Sequence, residues 1–109
     1  MNKLLYVAYV PLQVLITTPE FQALTAAQAG FVSKYVSRGV TKGVYDAVTA
    51  VQSAYHCKDR KTAAIQAYQL LRNRRIAKVI DLHFLRDAER VNDLQRLVHR
   101  SSLRHEIES

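Results

Sequence analysis

Both prolines of this chain, Pro11 and Pro19, fall before residue 20, so nothing from there to residue 109 carries the ring that breaks a helix. Only three glycines occur in the whole sequence. A long proline-free stretch whose apolar residues recur at three- and four-residue intervals has one natural outcome, a set of amphipathic helices. With 49% hydrophobic and 23% charged residues, the composition is that of a globular chain. Its length is that of one domain with a modest core.

The spacing divides the chain into helices. Thr18 followed by Pro19 predicts a capped single turn over "TPEFQ". Thr25 and Gln28 form a capping box, and Leu24, Phe31, Val32, Tyr35 and Val36 lie on one stripe, so a first long helix is expected over about 25–38, with Gly39 as its terminal glycine. A second helix is expected to start at Thr41, with Val44, Ala47, Val48, Val51 and Tyr55 inward and Gly43 weakening its first turn. Asp59 caps a third, whose inner face is Ala63, Ala64, Ala67, Leu70 and Leu71 and whose outer face is Lys61, Thr62, Ile65, Gln69 and Arg72, with Gln66 at the edge. Asn73 ends it and caps a fourth, striped by Ile76, Val79, Ile80 and Phe84. Val91, Leu94 and Val98 continue the three-four spacing among alternating charges, as in a short coiled-coil seam.

The expected fold class is therefore all-α, with four or five helices in a small bundle. Residues 1–23 read as an apolar N-terminal arm, packed on the body or on a neighbouring copy and containing a short extended segment. Residues 24–82 form the helical domain, and residues 83–109 form a helical oligomerisation segment using Phe84, Val91, Leu94 and Val98. The first sixteen residues are too short and too interrupted, by Pro11 and Gln13, to span a bilayer, and no small-residue cleavage site follows them. No membrane partner is expected.

The charge is unevenly distributed. Of the formal net +7, residues 58–78 hold +6, from Lys58, Arg60, Lys61, Arg72, Arg74, Arg75 and Lys78 against Asp59 alone. A solvated cationic face would have this composition, and so would a surface that grips a polyanion. Helix three fits a major groove, with Thr62 among its DNA-facing residues, Gln66 and Gln69 reading base edges and the cations at its two ends placed for phosphates.

Other chemistry is poorly served. Cys57 is the single cysteine, so no internal disulfide forms and a reducing, cytoplasmic setting is expected. It reads as a half-buried turn residue. His83, His99 and His105 are too scattered for a metal site. There is no glycine-rich phosphate loop. Asp81, Asp87 and Asp93, six residues apart, scatter around a helix. Asp81 and His83 are expected as a surface pair, and Asp87, Glu89 and Asp93 as partners of nearby arginines. No enzyme activity, cofactor or metal is expected.

The order of these features resembles the phage terminase small subunit family over about residues 24–80. The opening pattern is carried by Leu24, Thr25, Gln28, Phe31, Val32, Tyr35 and Gly39, and the later one by Thr62, Ala63, Leu70, Leu71, Asn73, Ile76 and Ile80. The chain departs from the family pattern at Ser53-Ala54-Tyr55, where Ala-Gly-Tyr is usual, and at Arg74, where proline is common. The resemblance implies a helix-turn-helix-like unit on double-stranded viral DNA, a homo-oligomer, and recruitment or regulation of a large subunit holding the ATPase and nuclease, in the host-cell cytoplasm. A small helix-turn-helix transcriptional regulator and a helical assembly protein that does not bind DNA are the competing readings.

Overall fold

A computed structural model describes the backbone of residues 9–108 and the side chains of residues 9–101. Among the described residues the structure is all-helical. Two single turns, α1 (Leu12–Leu15) and α2 (Pro19–Gln22), precede α3 (Ala26–Lys42), α4 (Ala47–Tyr55), α5 (Arg60–Arg72), α6 (Arg74–His83) and α7 (Val91–Glu108). Most of the extended segment expected over residues 4–10 lies outside the described residues, which begin at Tyr9.

The helix starts follow from their caps. The Thr18 hydroxyl accepts from the Phe21 amide at 3.3 Å and donates to the Leu15 carbonyl at 2.7 Å, joining α1 to α2 while itself buried. Thr25 and Gln28 close the reciprocal box at the head of α3. Asp59 and Asn73 cap α5 and α6 as their sequence positions predict.

Between α3 and α4 the structure departs from the expected punctuation. Helix α3 runs through Gly39 and Thr41 to Lys42, Gly43 supplies the left-handed cap at φ 75°, and Asp46 rather than Thr41 caps α4. Val44 lies outside the helix and is 63% exposed. The cause is Tyr45. Its ring lies across α3 at Gly39, where an added Cβ would sit 2.0 Å from the ring. Glycine is required here for a close approach, and the freedom to adopt positive φ is used four residues later.

This ring cannot simply swing away. Its hydroxyl is bonded to His83, and it packs on Tyr35 and Phe84 with centroids 5.4 and 4.8 Å apart. Gly39→Ala is therefore expected to destabilise the protein by about 1–3 kcal/mol through overpacking, although alanine is the better helix former by about 1 kcal/mol. A urea titration measures it.

The core draws on every long helix. Phe31, Val32 and Val36 come from α3, Ala50 and Val51 from α4, Ala63 and Ala67 from α5, Ile76, Val79, Ile80 and Leu82 from α6, and Leu94 and Val98 from α7. Helices α4 and α5 pack most closely, α5 presenting only the narrow line Ala63, Ala67 and, half-buried, Leu70. Ala64 and Leu71, expected inward, are exposed because α5 lies at the surface and buries a single stripe.

The N-terminal segment belongs to this core. Val10, Val14 and Leu15 are buried in it, so the described part of the expected arm packs on the body of its own chain. Helix α7 lies against α1, and Leu94 and Val98 are buried inside this single chain.

Candidate nucleic-acid interface

The cationic surface is built on two caps. At the start of α5, Asp59 accepts from the Lys61 amide at 3.1 Å and from the Thr62 hydroxyl at 2.8 Å. The Thr62 hydroxyl, and after it the Lys61 amide, hold the Asp59 carboxyl below its ordinary range, so the cap is ionised at neutral pH. At the other end Asn73 is the whole connection between α5 and α6. Its side chain accepts from the amides of Arg75 and Ile76 at 2.9 and 3.3 Å. A one-residue turn brings Arg72, Arg74 and Arg75 to one corner.

The expected site residues separate into groups. Lys61, Thr62, Gln69 and Arg72 are exposed on the outer face of α5, with Gln66 half-buried at its margin. Arg74 is exposed at the corner. Arg75 and Lys78 line a groove on α6 beside α2, together with Pro19, Glu20 and Ala23. Arg60 turns back to α4, donating to Gln52 at 3.0 Å and lying 4.0 Å from Asp46. Lys58 is exposed in the preceding turn, where its carbonyl accepts from Gln52.

Among the described residues the ion pairs are Arg60–Asp46, Arg86–Asp81 and Arg90–Glu20. None of them neutralises Lys58, Lys61, Arg72, Arg74, Arg75 or Lys78. Position makes this more telling. Helix starts favour acids, yet the first turns of α5 and α6 contain none and carry Arg60, Lys61, Arg74 and Arg75 instead. Helix stability alone would not select that arrangement.

Two side chains on the outer face of α5 were not among the expected contacts. Ile65 is 59% exposed and Tyr68 61%. The Tyr68 hydroxyl accepts from Arg72 at 2.8 Å, and the guanidinium lies 5.3 Å from the ring centroid.

His83 is the other omission, and it corrects the expected Asp81–His83 surface pair. Asp81 lies 3.9 Å from Arg86, while the His83 side chain is fully buried. Its Nδ1 is 2.8 Å from the Val10 carbonyl oxygen. Because a carbonyl only accepts, Nδ1 carries the proton, and Nε2 accepts from the Tyr45 hydroxyl at 2.8 Å. The signal was available, since position 83 continues the apolar line 76, 79, 80. Burial pushes the His83 pKa down, opposed by the Val10 carbonyl.

The sign of the resulting pH dependence is fixed. A histidine depressed in the folded state adds no penalty above its unfolded pKa of about 6.5. As pH falls through that value the unfolded chain takes up the proton first, and stability is lost until the folded pKa is reached. Thermal melts are expected to show this acid loss. His83→Asn, which keeps a donor for Val10, is expected to lower stability at neutral pH and to flatten the His83 share of the acid loss.

The expected oligomerisation residues lie as follows. Phe84 joins the Tyr45–His83 aromatic cluster, with Arg86 4.5 Å over its ring, and Val91 is half-buried. Leu94 and Val98 are core residues. Cys57 is half-buried in the α4–α5 turn, its thiol 3.5 Å from the Asp59 carbonyl. Among the described residues no three His, Cys, Asp or Glu side chains cluster to hold a metal, and no helix is long and apolar enough to cross a membrane.

No protein-family model, curated protein or solved structure matches this chain.

Proposed function

We propose that this protein binds double-stranded DNA, with α5 in the major groove and the cations at its two ends on the flanking phosphates. The observation that carries the reading is that Lys58, Lys61, Arg72, Arg74, Arg75 and Lys78 have no acidic partner among the described residues, with Lys61, Arg74 and Arg75 in first turns where the helix dipole opposes a cation. Glutamine at position 69 and lysine at 61 stand on the same outer face, with the chemistry to reach base edges. The resemblance to phage terminase small subunits extends the proposal. In that role the protein acts as a homo-oligomer that marks viral DNA for a large packaging subunit in the host cytoplasm. It supplies recognition, and the large subunit supplies catalysis.

The testing experiment is fluorescence anisotropy on a labelled random-sequence duplex over a salt series. Binding should weaken with salt at a slope of about −0.9 for each phosphate neutralised, or about −5 if Lys58, Lys61, Arg72, Arg74, Arg75 and Lys78 all engage. Absence of binding at low salt would overturn the proposal.

A further inference from the structure

Lys61, Ile65, Tyr68 and Arg72 follow one another at intervals of four, three and four residues, which places them on a single line along the outer face of α5. The two central residues are large, apolar and more than half exposed. Packing does not ask for them, since the inner line of this helix is Ala63, Ala67 and Leu70. Helix propensity does not ask for them either, because a β-branched and an aromatic residue are poorer choices for a solvated face than alanine, lysine or glutamate. They form an apolar centre between cationic ends.

A duplex major groove has the complementary arrangement. Its margins are phosphates, and its floor carries one apolar group, the 5-methyl of thymine. The high local positive charge selects this polyanion over a neutral apolar partner. Tyr68 adds a second element: its hydroxyl already holds Arg72, so less ordering is needed when that guanidinium meets the backbone.

We infer that α5 prefers thymine-containing duplex, with Ile65 covering a thymine 5-methyl group and Tyr68 acting as a positioning residue for Arg72. This rests on the DNA-binding reading above and adds to it a specificity and the residue that sets it.

The experiment compares two duplex polymers that differ by the methyl group alone, poly(dA-dT) and poly(dA-dU), with phosphatidylserine vesicles as a third probe. The parent protein is expected to bind the thymine polymer more tightly, by roughly fourfold for each methyl covered. Ile65→Ala, at an exposed position, should keep the helical circular dichroism spectrum and the salt slope while abolishing the difference between the polymers. Tyr68→Phe should weaken binding to both polymers equally and leave their ratio intact.

Equal binding of the two polymers by the parent, or a difference that survives Ile65→Ala, overturns the thymine inference and leaves DNA binding standing. Binding to neither polymer overturns both. Preferential binding to vesicles that is lost in Ile65→Ala makes this face a membrane-surface contact and also overturns both.

Discussion

Leu15→Ala is expected to cost about 2–5 kcal/mol of folding stability, one of the two largest effects in this molecule. Leu15 is fully buried, yet it belongs to a four-residue helix that has no stability of its own. What holds that turn is the core beneath it, where Val10 and Val14 are buried alongside Leu15. For a small domain with total stability of about 5–15 kcal/mol, the loss removes a large share. Ile16, the next residue, is 44% exposed, and Ile16→Ala should change stability by no more than about 0.5 kcal/mol. Urea titrations of the two variants make the comparison. If residues 10–16 were a detachable arm, Leu15→Ala would leave the unfolding midpoint unchanged.

The second large effect is on binding. Replacing Arg72, Arg74 and Arg75 together by alanine is expected to reduce the salt slope of DNA binding by about three units and to weaken affinity correspondingly at low salt. Stability should move little. Arg74 and Arg75 lie in the first turn of α6, where removing positive charge relieves an unfavourable interaction with the helix dipole by a few tenths of a kcal/mol each. Arg72 gives up its contact with Tyr68, an exposed interaction of small worth. Binding down with stability level or slightly up separates an interface from a structural role. Unchanged affinity with an unchanged slope would show that these arginines do not touch DNA.

What could be read from the sequence was what depends on neighbours along the chain. Thr18, Thr25, Asp59 and Asn73 cap because each stands just before a helical pattern and its side chain needs only the next amides. The outer face of α5 was legible for the same reason: residues 61, 65, 69 and 72 share a side by helical geometry alone.

Features that depend on distant parts of the chain were not legible. Gly39 reads as a terminator until Tyr45 is seen across it. Leu94 and Val98 carry the spacing of a contact between copies, and periodicity shows that a face is apolar without showing that it is buried within the same chain. His83 sits on the apolar line of α6, and only Val10 and Tyr45, from two other parts of the fold, explain why a polar ring can be there. Within the candidate site, the missed residues Ile65 and Tyr68 were assigned by type, one as a face marker and the other not at all. The outward face of Ile65 was legible from helical spacing; what was missed was that it and Tyr68 stand among the cations.

The tie between residues 10 and 83 also sets an order of events. The Val10 amide donates to the His83 carbonyl at 2.8 Å, and the His83 ring donates back to the Val10 carbonyl. The partners are 73 residues apart in sequence. Helices α3, α4 and α5 pack on their immediate successors and so close only short loops, the kind of contact that favours fast folding. At ordinary elongation rates Val10 leaves the peptidyl-transferase centre about 4–15 s before His83 is added. A segment made before His83 is thus tied down only after it. Until His83 is added, Val10, Val14 and Leu15 lack the core that buries them in the folded chain.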